Sequence, residues 1–143
     1  MLSIAEATVA DDDALVDLWT RCGLVRPWND ARADIARARS IGCAVIFVGR
    51  DNGAIVAAVL VGDDGHRGWF YYLAVDPAHQ GKGHGRAMTQ AGEQWLMARG
   101  CEKVMLMVRP DNTRVHDFYK AGGYFEQPRA LFAKWLDGRE PTP

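Results

Sequence analysis

The chain has 143 residues, which fits one ordinary domain and is too short for two separate hydrophobic cores. Its 17 basic and 18 acidic side chains give a formal charge of -1, so net charge offers no general attraction to nucleic acid or anionic membranes. The three cysteines lack zinc-ligand spacing and suggest no disulfide framework, and no apolar stretch reaches membrane-spanning length. We therefore expect one cytoplasmic domain, 1–143, with no metal, nucleic-acid or membrane partner.

The first half of the chain alternates between helical and extended patterns. A strand is followed by apolar residues at helical spacing behind Asp11–Asp13, which can cap and charge a first helical turn. Two β-branched runs are separated by Asn52-Gly53, a strong hairpin signal. The predicted elements are a strand at 2–8, a helix ending near Gly23, a helix through Ile35, and strands at 44–48, 54–61 and 69–75.

The second half begins where Asp76-Pro77 ends the last of these strands, because proline cannot donate to a sheet. A glycine loop at 80–85 opens a helix that ends at Gly100. The apolar run 104–108 predicts a central strand covered on both faces. A helix starting at Asp111-Asn112 and ending at Gly122-Gly123, then a last strand at 130–136, complete the prediction.

The order of elements predicts the fold class. Consecutive hairpins followed by a β-loop-α-β-α-β series indicate an α/β (mixed α+β) protein, in which a central mixed, mostly antiparallel sheet is flanked by helices.

The glycine loop has the chemistry of a phosphate site. Three glycines allow a tight turn and bring several N–H groups to the positive end of a helix dipole. A dinucleotide fingerprint would need a glycine where Arg86 stands, and a P-loop would need Gly-Lys followed by Ser or Thr. Both are absent, so the loop predicts a phosphorylated ligand of another kind.

Two motifs together resemble the GCN5-related N-acetyltransferases (GNATs). The series Leu73-Ala74-Val75-Asp76-Pro77, followed by Gln80-Gly81-Lys82-Gly83-His84-Gly85, is similar to the acetyl-coenzyme A motif Arg/Gln-x-x-Gly-x-Gly/Ala behind its strand. Asn112, Tyr119 and Gly123-Tyr124 stand where the family has an asparagine, a tyrosine and Gly-Phe. The segments RPWND at 26–30 and DGHRG at 64–68 resemble a bacterial subgroup often called YpeA-like.

The resemblance implies an acetyl-coenzyme A site without a metal. Backbone N–H groups of the loop would hold the pyrophosphate, and main chain before the loop would pair with the pantetheine arm and polarise the thioester carbonyl. Asn112 would bond that arm or cap its helix. The implied cofactor-binding residues are Leu73, Ala74, Val75, Gln80, Gly81, Lys82, Gly83, His84, Gly85, Arg86, Asn112 and Tyr119.

The resemblance also implies acid and base catalysis. Tyr119 would give its proton to the departing thiolate as general acid. Many relatives carry a glutamate on the strand before the loop, but this strand has no carboxylate. The base candidates are therefore His66, Asp63, Asp64 and Tyr71, acting directly or through a water.

The acceptor is implied only as a primary amine of a small molecule or of a protein or peptide. Trp28, Trp69, Tyr71 and Tyr72 are candidates for an aromatic acceptor pocket, although aromatic residues on a β-strand also build cores. Two other functions stay open: a noncatalytic acyl-coenzyme A binding module, and a nucleotide-binding domain of another kind. A homodimer is also open.

Overall fold

A computed structural model describes residues 1–143 and divides them into two compact units, Met1–Met107 and Val108–Pro143. The prediction that 1–143 form one domain stays a prediction. The secondary structure comprises five β-strands, four α-helices and two short 3-10 turns. None of the α-helices has both the length and the apolar character needed to cross a membrane.

The first unit contains the whole sheet and three helices, and it confirms the predicted order of elements. Asp30 begins the second helix by accepting a hydrogen bond from the backbone N–H of Ala33, and Asn52-Gly53 form the predicted hairpin turn with positive φ at both residues. In chain order the elements are β1 (Ser3–Glu6), α1 (Asp12–Arg21), α2 (Ala31–Ser40), β2 (Ala44–Asp51), β3 (Ala54–Asp63), β4 (Gly68–Val75), α3 (His84–Ala98) and β5 (Val104–Met105).

The sheet has the strand order β1-β2-β3-β4-β5. The first four strands pair antiparallel, and β5 pairs parallel to β4. The predicted mixed, mostly antiparallel sheet with helices on its faces is therefore confirmed.

Helices cover both faces of the sheet. One buried cluster joins Leu15 and Trp19 of α1 and Ile35 of α2 to residues of β2, β3 and β4, including Ala74. On the opposite face α3 lies so close to β4 that a Cβ added at Gly92 would meet the ring of Phe70 at 2.5 Å. The sheet is therefore a middle layer whose strands have little freedom to shift.

The prediction of a central strand at 104–108 is wrong. β5 contains only Val104 and Met105, and it lies at the edge of the sheet. Its two residues are half-buried, and Met107 is 51% exposed. An apolar run fits an edge strand with one covered face as well as a central strand, and periodicity alone does not separate the two.

The second unit contains α4 (Thr113–Ala121), which confirms the predicted helix between Asn112 and Gly122. The predicted strand at 130–136 is wrong, because no strand follows α4. Leu131, Phe132 and Leu136 are 72%, 91% and 95% exposed. A segment with strand composition forms a strand only when another strand supplies backbone hydrogen-bond partners, and this segment has none.

Candidate active site

The most distinctive feature of the first unit is the edge of β4. β5 pairs with only the first two residues of β4, Gly68 and Trp69. The remaining residues of β4, Phe70 to Val75, therefore have no strand on that side. An unpaired edge can accept an extended ligand as an additional strand.

A bulge changes the course of β4 within this unpaired stretch. Leu60 of β3 lies opposite Tyr71, and Ala58 lies opposite Ala74, so two residues of β4 face Val59. Tyr72, at the bulge, has a φ of +54°. Bulges turn the backbone groups that follow them away from the regular ladder and are frequent next to active sites.

The glycine loop follows β4 and leads directly into α3. Gly81 and Gly83 have φ values of +77° and +82°, a region that side chains disfavour. Gly83 is the N-cap of α3 and offers no side chain to the first helical turn. The N–H groups at the start of α3 therefore have no capping side chain from Gly83, as an anion site at a helix terminus requires.

The side chains of the loop differ in exposure and in hydrogen bonding. Lys82 is exposed, whereas the Nε2 atom of His84 is buried and has no hydrogen-bond partner. The group that His84 can offer to an anion at the loop is its backbone N–H. Gln80 donates from Nε2 to the carbonyl oxygen of Val75 at 3.3 Å, which ties the loop to the end of β4.

Asp76 anchors the same junction. Its carboxylate accepts from the N–H of Ala78 at 2.9 Å and from Arg21 of α1 at 2.8 Å. The Ala78 hydrogen bond and then the Arg21 contact hold the pKa of Asp76 below its usual value, against the opposing effect of burial. The start of the loop is thus fastened to α1 by a charged contact at neutral pH.

Asp64, one of the base candidates, is heavily engaged. Its Oδ1 accepts from the N–H groups of Arg67 and His66 at 2.7 and 2.8 Å, and its Oδ2 accepts from Trp69 Nε1 at 3.0 Å. The backbone bonds, first that of Arg67, lower the pKa of Asp64. A carboxylate so stabilised as an anion is a weak proton acceptor.

The remaining base candidates are Asp63 and His66, which precede β4, and Tyr71 within it. Tyr71 is 42% exposed and stacks on Trp69 with ring centroids 6.3 Å apart. Burial, followed by the charge of Asp64, raises the pKa of Tyr71, so its phenol stays neutral near pH 7. His66 is exposed in the turn before β4, and Asp63 is turned toward the N–H of Gly65 and the guanidinium of Arg99.

Trp28, another predicted acceptor contact, is half-buried in the loop between α1 and α2. Its proposed role, like those of the base candidates, stays a prediction.

Asn112 and Tyr119 belong to the second unit. Asn112 stands at the N-cap of α4, but its exposed side chain makes no capping hydrogen bond. Tyr119 is 9% exposed and packs edge-to-face with Phe118 and Tyr124. Burial raises the pKa of Tyr119 to about 12, which keeps the phenol protonated and able to donate.

Sequence reasoning placed Tyr72 only in a candidate acceptor pocket and missed its contact with two helical side chains at the bulge. The ring of Tyr72 stacks on Trp19 of α1, with centroids 3.9 Å apart and an angle of 7° between planes. The hydroxyl of Tyr72 donates to Asp34 of α2 at 2.7 Å. No spacing signal could have revealed this contact, because its members lie on three elements that only the fold brings together.

Comparison with known proteins gives a family match. The model of the acetyltransferase (GNAT) family matches residues 7–124. An acetyltransferase of Pectobacterium atrosepticum is 46% identical over 110 residues, which make up 77% of this chain and 78% of that protein. An acetyltransferase of Yersinia pestis is 40% identical over 126 residues, 88% of this chain and 89% of that one.

Solved structures with the same fold have low sequence identity. An aminoglycoside N-acetyltransferase in complex with coenzyme A aligns with a TM-score of 0.84 at 16% identity, covering 95% of both chains. A putative acetyltransferase from Agrobacterium tumefaciens aligns with a TM-score of 0.79 at 22% identity, covering 93% of this chain and 99% of that one.

Proposed function

Since the chain belongs to the acetyltransferase (GNAT) family and is thus an acetyl-transferring enzyme, we propose that it transfers the acetyl group of acetyl-coenzyme A to a primary amine. The acceptor amine is carried by a small molecule or a peptide, and it attacks directly while both substrates are bound. The observation that carries this proposal is the unpaired edge of β4, Phe70 to Val75, running into the glycine loop.

The donor fits this edge in two parts. The amide groups of a pantetheine arm can pair with the main chain of Leu73 to Val75 as an added strand. The pyrophosphate then meets the N–H groups of the loop from Gln80 to Gly85 and the first turn of α3. Arg86 in that turn and exposed Lys82 add positive charge nearby.

Acetyl transfer requires proton movement on both sides of the reacting carbon. The amine nitrogen forms a bond to the carbonyl carbon, the carbon–sulfur bond breaks, and the thiolate takes a proton. Tyr119 is the proposed donor of that proton, since its raised pKa keeps it protonated. The amine loses its own proton to a base candidate near β4 or to water.

The direct test measures thiol release from acetyl-coenzyme A with polyamines, amino sugars, aminoglycosides, peptide N-termini and lysine peptides. Aminoglycosides are included because structural neighbours act on them. At least one amine should give saturable turnover with an acetylated product of the expected mass. Tight coenzyme A binding without turnover on any amine would favour a noncatalytic binding module, and tighter binding of ATP or NAD would favour another nucleotide site.

The loop assignment predicts that Gly83→Val weakens coenzyme A binding by about a hundredfold, because a β-branched residue at a φ of +82° disturbs the N–H groups. The matched control is Gly100→Val just after α3. Gly100 has a φ of +89° and, like Gly83, nothing within 4 Å of an added Cβ. Calorimetry should show near-normal affinity for the control at comparable loss of stability. Equal affinity losses would refute the glycine loop as the pyrophosphate site.

The role of Tyr119 predicts that Tyr119→Phe lowers kcat on the order of a hundredfold while coenzyme A affinity changes little. Because a general acid works only when protonated, a pKa raised to about 12 should also preserve kcat up to about pH 10. Steady-state kinetics across pH checks both. A decline with an apparent pKa near 10 that disappears in Tyr119→Phe would contradict the raised pKa.

A further inference from the structure

The starting observation is a strained residue in the middle of β4. Two residues other than glycine have positive φ, Asn52 in the hairpin turn and Tyr72 in the strand. Asparagine tolerates this region, whereas a bulky tyrosine rarely adopts it. The left-handed conformation is strained for such a residue and persists only where surrounding contacts impose it.

Two helices supply those contacts. Trp19 of α1 is fully buried and stacks flat on the Tyr72 ring at 3.9 Å. Asp34 of α2 accepts a hydrogen bond from the Tyr72 hydroxyl at 2.7 Å. Burial and then this hydrogen bond raise the pKa of Tyr72, so the phenol stays a donor to Asp34 throughout the neutral range.

The strained residue stands immediately before the functional stretch of β4. Tyr72 precedes Leu73 to Val75, whose main chain has β3 on one side and no strand on the other. The conformation of Tyr72 therefore sets the direction in which the following N–H groups point. β5 does not pair with this part of β4, and the residue at the bulge is not a glycine, so neither feature sets that direction.

From this geometry we propose that Trp19, Tyr72 and Asp34 form a positioning cluster for acetyl transfer. The cluster holds the bulge so that a backbone N–H of Leu73 to Val75 is directed at the thioester carbonyl. Asp34 acts through Tyr72 and touches neither substrate. The proposal rests on the proposed function and names the residues that orient its carbonyl-polarising group.

The test compares Tyr72→Phe, which keeps the stacked ring and removes the hydroxyl, with Asp34→Ala and Asp34→Asn. The asparagine retains a side-chain oxygen that can accept from Tyr72. Asp13→Asn is the matched control, because Asp13 pairs with Arg32 at 2.7 Å across α1 and α2 but lies on the exposed surface. Three quantities are measured: kcat, the Kd of coenzyme A, and the infrared carbonyl stretch of bound carbonyl-labelled acetyl-coenzyme A.

We expect kcat to fall about ten- to a hundredfold in Tyr72→Phe and Asp34→Ala, because a polarising donor is misdirected. Their carbonyl stretch should move toward that of free acetyl-coenzyme A. The Kd of coenzyme A should change clearly less than kcat, since coenzyme A contacts this main chain through its pantetheine arm but has no acetyl carbonyl to be polarised. Asp34→Asn should recover most of the loss, and Asp13→Asn should match the wild type.

An unchanged kcat and carbonyl stretch in both Tyr72→Phe and Asp34→Ala would overturn the proposal. Parallel losses of kcat, coenzyme A affinity and stability would also overturn it, because they indicate general loosening. Tyr72→Phe removes one oxygen and keeps the proposal testable if Asp34→Ala does not fold. Failure of the proposed function appears separately, as a wild type that binds no acetyl-coenzyme A or acetylates no amine.

Discussion

The two parts of β4 are held in place by different means. At Gly68 and Trp69 the strand has hydrogen-bonded neighbours on both sides, β3 and β5. From Phe70 to Val75 it has β3 alone, and a bulge interrupts even that ladder. The paired part is shaped by backbone hydrogen bonds, whereas the open part is shaped by side chains from α1 and α2, chiefly Trp19 and Asp34.

This difference shows how one strand can serve both stability and function. Backbone groups that complete a ladder are unavailable to a ligand, so an edge used for binding must be left without a strand. The geometry that the missing strand would have imposed must then come from elsewhere. In this protein it comes from an aromatic stack and a phenol–carboxylate hydrogen bond.

The largest effect is expected from Trp19→Ala, which removes the buried support of the open part. Loss of a fully buried tryptophan should lower the free energy of unfolding by about 3 to 5 kcal/mol. Urea denaturation measures that loss. Hydrogen exchange should show amide protection falling more at Phe70 to Val75 than at Gly68 and Trp69.

Trp95→Ala on α3 is the control for Trp19→Ala, because Trp95 is half-buried. Its loss of stability should be clearly smaller and should not concentrate in the open part of β4. Equal loss of protection along the whole of β4 in Trp19→Ala would show that the two parts are not held separately.

A smaller effect is expected from Gly68→Ala in the paired part. The added Cβ would lie 2.4 Å from Cδ1 of Leu96, which is 3% exposed and has little room to move. Overpacking of this kind should lower stability by about 1 to 3 kcal/mol. The loss should appear in the urea midpoint, and the Kd of coenzyme A should remain unchanged.

Gly62→Ala is the matched control on the neighbouring strand. Gly62 has ordinary φ and nothing within 4 Å of an added Cβ, so alanine there should be neutral or slightly stabilising. A strong loss of coenzyme A affinity in Gly68→Ala would show that the paired part also shapes the ligand edge, and the distinction between the two parts would fail.

The predicted elements succeeded where the signal is local. The Asn52-Gly53 turn and the glycine loop act within a few residues, and each appears where the sequence places it. The strands at 104–108 and 130–136 failed for the opposite reason. A strand exists only when a partner lies beside it, and no local pattern specifies that partner.

The sequence by itself determined the family, the order of the main elements and the loop suited to a phosphorylated donor, since these depend on residue types at short spacing. Only the tertiary structure decided where the pairing of β5 with β4 ends and which side chains contact the bulge. Trp19, Asp34 and Tyr72 are 15 or more positions apart in the chain, yet they meet at one point. Such contacts arise from packing of helices on a sheet, which is set by the whole fold.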